Sequence, residues 1–254
     1  MLSWLGYFER FGSAFLRGAG VTLKLTAIGL TIGFCLGLLL ALARSYGPKW
    51  LQTLAGAYIA VFRGTPLLVQ LFIIYYGLPE IGIAFPQNIA AYLALGLNSA
   101  AYQAEYLRGS INAIGSAQMQ AGRSIGLSKW QTITYIILPQ ALRLALPSWS
   151  NEPISLLKTT AIVFLIAVQD LMAEAKRAAT TTFDFVGTYL AVALVYLAMV
   201  FALDALLKFL ERKTKIPAWT SRSIVNLLRS LPFVSSIVSS IFFDVYFDCS
   251  QSIH

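Results

Sequence analysis

"VTLKLTAIGLTIGFCLGLLLALA", residues 21–43, is long and apolar enough to cross a bilayer as one helix, for which about 20 predominantly apolar residues are needed. Gly29, Gly33 and Gly37 recur within it at four-residue spacing, which lines small residues on one face for close approach of a second helix. The plainer reading is glycine as ordinary filler of a membrane helix. The rest of the chain agrees with the membrane setting. Of its 254 residues 57% are hydrophobic and 12% charged, with a mean hydropathy of +0.70, more apolar surface than a soluble fold hides.

Four further runs have the length of a span: 57–76, 88–107, 147–169 and 186–209. The predicted fold class is therefore an all-α membrane protein with about five transmembrane helices, its transmembrane domain covering residues 1–215. Basic residues orient it, because Lys and Arg in short loops stay on the cytoplasmic side. Arg44 and Lys49 follow the first run; Arg108, Arg123, Lys129 and Arg143 follow the third; Lys208, Arg212, Lys213 and Lys215 follow the fifth. The loop "GLPEIGIAFPQN", residues 77–88, has none. The N-terminus is expected outside and the C-terminus inside. Residues 1–18 interleave apolar side chains with Glu9, Arg10 and Arg17, unlike a cleaved signal, and are expected to lie on the outer surface as an amphipathic helix.

Composition excludes several functions. The net charge of +8 comes from Lys and Arg scattered between apolar runs, with no aromatic-interleaved patch, so nucleic acid is not a partner. Cys35 and Cys249 form no disulfide framework and no metal spacing, and His254 stands alone at the end of the chain. No metal, cofactor or histidine-based catalysis is expected.

Between the third and fourth runs lies a half-polar stretch, residues 109–139, long for a bare connection. Gly115 and Gly126 bracket a short predicted helix, with Ser116 as N-cap and Gly126 in the left-handed C-terminal position. Ser128 restarts a second helix that is expected to end near Pro139. A short exposed helix with small residues at its centre suits another protein's groove, although a purely structural loop reads equally well from these residues alone.

Here the order Gln120-Ala121-Gly122, then Gly126, then Ile136 and Leu138-Pro139 resembles the cytoplasmic "EAA" loop of ABC importer permeases. "FRGTPLLVQLFIIYYGLP", residues 62–79, and "ILPQALRLALPSWSNEPISLLKTTAI", residues 137–162, extend the resemblance to the subfamily that imports polar amino acids, of histidine and glutamine type. The resemblance implies a dimer with a second permease subunit, separate ATP-binding subunits and an external solute-binding protein. It implies coupling to the ATPase through Gln120, Ala121, Gly122, Arg123, Gly126 and Leu127. The chain departs from the pattern at Gln120, where the family has Glu, and at Gly122, where it has Ala. The first change removes a charge; the second weakens helix propensity by about 1 kcal/mol.

Ionisable and polar groups inside spans cost about 2.5–3.5 kcal/mol each when charged, and so mark functional candidates. Asn151, Ser155 and Lys158 share one stripe at i, i+4 and i+7, Glu152 lies on the adjacent stripe with Thr159, and Asn98, Tyr102 and Glu105 repeat the spacing in the third run. Together they offer groups of both signs to a zwitterion. The competing reading is that Lys158, Glu152, Glu105 and Arg63 neutralise one another within or between subunits. Glu152 facing a cavity would favour a basic amino acid.

Residues 216–254 form an extension whose apolar positions, from Ile224 to Phe242, fall on one helical face. An interfacial amphipathic helix, a sixth span and an unstructured tail are the alternatives. The function expected from all this is the permease subunit of an ATP-driven amino acid importer in the inner membrane. No Gly-x-x-x-x-Gly-Lys-Ser/Thr occurs, so ATP hydrolysis belongs to a partner. A stand-alone secondary transporter is the alternative; it would show a repeated half and a midplane coupling carboxylate.

Overall fold

The computed structural model describes residues 4–214, whose regular structure is entirely helical. The extension 216–254 lies outside the described residues. The first helix, α1 (Trp4–Tyr46), is unbroken. Residues 4–18 are therefore not a separate surface helix but the first turns of α1. Phe15 and Ala19 are buried there against Leu171, Ala175, Ala191 and Val192, which supplies a protein partner for the apolar face expected to meet lipid headgroups.

The second run is not one straight span. α2 (Lys49–Gly64) stops at Gly64-Thr65-Pro66, and α3 (Leu67–Phe72) leaves at 104°, running on through a π-helical turn at Ile73–Gly77 and a 3-10 turn at Leu78–Ile81. Proline explains the break, since its ring pushes the preceding residue out of the helical region, and Thr65 sits extended at φ −115°.

α4 (Gln87–Ser124) is a single helix that carries both the third run and half of the polar stretch. Gly115 does not interrupt it and Ser116 is not an N-cap. Packing outweighs the weak propensity of glycine: Ile111 is buried in a cluster with Ala41, Leu107, Ile137, Ala141 and Ala145, and Ile114 and Met119 pack against it. Gly126 does take the left-handed conformation, φ +88°, just past the helix end. Ser128 caps α5 (Lys129–Thr132) in a capping box with Gln131. That helix does not stop at Pro139. It passes through a π-helical turn at Ile133–Ile137 into α6 (Leu138–Trp149), and that widened turn is where the continuous helix takes in Pro139, which has no N–H to give the preceding turn.

The run 147–169 is likewise divided. α6 ends at Ser150, α7 (Asn151–Thr159) follows, and a 3-10 segment, Thr160–Ile166, leads at a 56° bend to α8 (Leu171–Thr182); α9 (Phe185–Thr214) closes the described chain. Among the described residues two helices, Glu9–Tyr46 and Phe185–Lys213, are long and apolar enough to cross a membrane, or up to four spans if each bent pair is one. Five were expected. α4 does not meet that test, and its position explains the composition: Ala94, Leu95, Ala100, Ala101 and Ala104 are buried at the centre of the bundle, where protein replaces lipid as the neighbour and polar residues can find partners.

α1 lies along α4 with Gly29, Gly33 and Gly37 turned toward it. A Cβ built on Gly33 would stand 2.5 Å from Gln103 Nε2 and 2.9 Å from Ser99 Cβ; on Gly37, 3.0 Å from the Ala100 carbonyl oxygen; on Gly29, 3.2 Å from Leu95 Cβ. The tightest position is the one facing polar side chains. Gly33→Ala is expected to destabilise the folded protein by about 1–3 kcal/mol through overpacking, while Gly20→Ala, inside the same helix with nothing within 4 Å of the added methyl, does not destabilise it and gains helix propensity. Thermal unfolding of the two variants in detergent checks the contrast.

Candidate functional site

The break between α2 and α3 opens a cavity of about 440 Å³ against α4 and α7. Asn98 and Tyr102 reach it from α4, Glu152 and Ser155 from α7, and Arg63 and Thr65 from the broken helix. The stripe of α7 that faces the cavity is Glu152, Ser155 and Thr159. Asn151 and Lys158, expected alongside Ser155, are exposed and do not line it. Burial decides between the two stripes: Pro153, Leu156 and Leu157 pack into the bundle and fix how α7 is turned.

Glu105 does not line the cavity either. It is held by two guanidinium groups, Arg44 from the end of α1 and Arg108 one turn further along α4, the latter at 2.7 Å. That pairing replaces the mutual neutralisation weighed for Glu105, Glu152, Lys158 and Arg63. Among the described residues no ion pair within the chain engages Glu152, Lys158 or Arg63. Arg63 instead stacks over the Tyr102 ring, 5.3 Å from its centroid, a cation–π contact that keeps the guanidinium at the cavity.

Glu152 is buried, 5% exposed, with one oxygen accepting from Ser99 Oγ at 2.7 Å. Ser99 is in turn met by Gln103 Nε2 at 3.0 Å, Gln103 Nε2 also reaches the Leu30 carbonyl oxygen at 3.2 Å, and Trp149 Nε1 donates to Gln103 Oε1 at 2.7 Å. Ser99 and Gln103 occupy the space left by Gly33. Sequence reading missed both, together with Thr65 and Tyr106 of the lining. The Gly64-Thr65-Pro66 breaker was the available signal for the first of these.

At the far end of α4 the polar stretch folds into a compact turn. Gly122 is buried, and a Cβ there would fall 2.5 Å from Thr132 Cγ2; Gln120, Ala121, Arg123 and Gly126 are exposed and Leu127 is half-buried. Leu127 N–H donates to the Gly122 carbonyl at 3.1 Å, and Lys129 Nζ donates to the Tyr46 carbonyl at 3.0 Å, tying the turn to the end of α1. Glycine at 122 is thus a packing requirement, not merely a weak helix former. Ile125, Trp130 and Tyr135 stand 62–75% exposed around it, an apolar surface.

The family model for the inner membrane component of binding-protein-dependent transport systems matches residues 33–216. The chain belongs to this family. The permease is 39% identical over 198 residues to the probable amino-acid ABC transporter permease YckA of Bacillus subtilis (78% of this chain, 88% of that protein). It is 38% identical over 201 residues to the arginine transport system permease ArtQ of the same organism (79% and 92%), and 36% over 203 residues to the glutamine transport system permease GlnP of Escherichia coli K12 (79% and 93%). A crystal structure of an amino acid ABC transporter with histidines superposes with a TM-score of 0.76 at 38% identity, covering 84% of this chain and 99% of that one. The inward-facing MetNI methionine transporter shares the fold, TM-score 0.70 at 19% identity, over 82% of this chain and 99% of that one. The protein is a multi-pass transport permease of the inner membrane.

Gly122→Ala is expected to lower the unfolding temperature of the permease and open the turn at 124–128 to protease. Combining it with Thr132→Ala, which removes the colliding methyl and hydroxyl, is expected to restore most of the loss. Limited proteolysis of single and double variants reads the coupling between the two positions.

Proposed function

We propose that the chain is the permease subunit of an amino acid importer, paired with a second permease subunit, and that the cavity at the α2–α3 break is part of its translocation pathway. The supporting observation is a pair of opposite charges with no ion-pair partner among the described residues, Arg63 and Glu152, lining one cavity with Asn98, Tyr102 and Ser155. A zwitterion needs that set: a cation for its carboxylate, and a carboxylate with hydrogen-bond acceptors for its ammonium. A cavity of about 440 Å³ is of the size that takes a small solute. The N-terminus lies outside and the C-terminus inside, and an external solute-binding protein delivers the solute.

ATP hydrolysis takes place in partner subunits that dock on the turn built from Gln120, Ala121, Gly122, Arg123, Gly126 and Leu127. Exposed small residues beside the apolar side chains of Ile125 and Trp130 give such a partner a groove-filling knob. Gln120 donates and accepts hydrogen bonds there without charge. Basic amino acids are weakly favoured as cargo, because a buried carboxylate stabilises an added cation. The relatives named for arginine and for glutamine transport are similarly distant from this chain, at 38% and 36% identity, so the preference rests on Glu152.

Two outcomes test this reading. Glu152→Gln in reconstituted vesicles is expected to lower the preference for arginine over glutamine by roughly tenfold, the factor equivalent to about 1.4 kcal/mol; an unchanged ratio overturns the preference for basic cargo. Gly126→Val forces a β-branched residue to positive φ, at about 1–3 kcal/mol, and is expected to release an ATPase that co-purifies with the wild type in stoichiometric amount. A wild-type chain that transports alone would favour a secondary transporter instead.

A further inference from the structure

The break at Gly64-Thr65-Pro66 strands backbone carbonyls inside the bundle, and two amide side chains meet them. Gln70 is 7% exposed, and its Nε2 lies 2.9 Å from the Phe62 carbonyl oxygen, 3.1 Å from that of Thr65 and 2.8 Å from Thr65 Oγ1. Asn98 Nδ2 lies 3.1 Å from the same Phe62 oxygen and 3.1 Å from Gln70 Oε1.

These contacts fix which way both amides point. A backbone carbonyl only accepts, so Gln70 must turn its NH₂ to Phe62 and Thr65, which leaves its oxygen toward Asn98. Asn98 must then turn its own NH₂ to Phe62 and Gln70, and both of its N–H donors are spent. Among the described residues no hydrogen bond reaches Asn98 Oδ1. The hydroxyl of Thr65 is spent in the same sense, its proton going to the Val61 carbonyl at 2.8 Å.

We propose that Gln70 is a positioning residue that sets the polarity of the cavity: by engaging the Asn98 NH₂ it leaves Asn98 only an acceptor, Oδ1, to offer the solute. Asn98 then acts with Glu152, whose second oxygen has no partner in the hydrogen bonds of the described residues, as the end that receives an ammonium, and Arg63 is the end that receives a carboxylate. The inference rests on the cavity being the solute pathway. It adds that an amide outside the cavity lining dictates discrimination for an α-amino group. Without Gln70 a single bond to the Phe62 carbonyl holds the Asn98 NH₂, and an amide that gives up that one bond can turn and donate to a hydroxyl or carboxylate in the same place.

The test is binding to the detergent-solubilised permease–ATPase complex, without binding protein, so that only the permease selects. The probes are L-arginine and its 2-hydroxy analogue, in which the α-amino group is replaced by hydroxyl. The wild type is expected to prefer arginine by at least roughly tenfold, since unpaired acceptors reject a ligand that lacks the matching donors. Gln70→Met, of similar volume but with no amide, is expected to reduce that ratio several-fold. The double variant Gln70→Met/Asn98→Asp is expected to recover it, because a carboxylate presents acceptors whichever way it turns. A purely structural role for Gln70 would weaken both ligands alike and gain nothing from Asn98→Asp. Should Gln70→Met fail to fold, Asn98→Ser leaves the Gln70 bonds to Phe62 and Thr65 in place and is expected to lower the same ratio. An unchanged ratio in Gln70→Met, or in Asn98→Ser, overturns the inference. A wild type that binds arginine no differently from Glu152→Gln overturns the cavity reading itself.

Discussion

The approach of α1 to α4 at Gly33 is the contact on which the polar interior depends. With no side chain at 33, Gln103 and Ser99 fit between the helices, and the chain of hydrogen bonds from Trp149 through Gln103 and Ser99 to Glu152 can form. Each member is nearly spent on its neighbours. Gln103 holds the Leu30 carbonyl and Ser99, and Ser99 gives its proton to Glu152. A buried carboxylate with a single hydroxyl partner is an expensive arrangement, and an apolar residue of similar volume would fill the site at lower cost. The network thus reads as support for a carboxylate needed at that place, delivered by a glycine on the opposite helix.

Glu105 and Glu152 show how the same side chain serves different ends at different depths. Both lie in runs with the same i, i+4, i+7 polar spacing. Glu105 reaches two arginines, one at the end of α1 and one along α4, so its charge is over-compensated and it joins those two helices mechanically. Among the described residues no cation pairs with Glu152, and the positive group that lines its cavity, Arg63, is committed to the face of Tyr102. Opposite charges kept apart across a cavity are available to a ligand in a way that a closed ion pair is not. A solute that bridges them replaces water at both ends.

Much of this was legible in the sequence where the signal is local. The glycine spacing of residues 29–37, the left-handed Gly126 and the Ser128 cap follow from steric and capping rules that need only neighbours in the chain. What failed was decided by tertiary contacts. Gly115-Ser116 looks like a helix boundary, yet Ile111 and Met119 pack on either side and carry α4 through it. Residues 4–18 look like a surface helix because their apolar face has no visible partner until α8 and α9 supply one. On α7 two polar stripes have equally good periodicity, and only the burial of Pro153, Leu156 and Leu157 turns Glu152 inward and Lys158 outward. The break at Gly64-Thr65-Pro66 has a local signal, but it lies inside an apolar run of spanning length that masks its punctuation.

The continuity of α4 changes how the two ends of the molecule relate. Asn98 and Gln120 lie on one helix, about 33 Å apart at 1.5 Å per residue, so cavity and exposed turn are joined by a single rigid element and not by a flexible loop. Lys129 and Gly122 fasten the turn to Tyr46 and Thr132, which makes it move with α1 and α4. Under the proposed docking, a partner that shifts the turn tilts α4 as a whole. The cavity wall formed by Asn98 and Tyr102 then moves against the wall carried by α7 and the broken helix. Asn98 with Phe62 and Gln70 forms a hydrogen-bonded seam between those walls at the break, beside the Tyr58 hydroxyl on the Leu97 carbonyl and the Ser99 hydroxyl on Glu152, and a tilt of α4 has to strain it. A seam of two amides, each bond of neutral strength near 1 kcal/mol, is strong enough to hold one state and weak enough to exchange for solute or water in another.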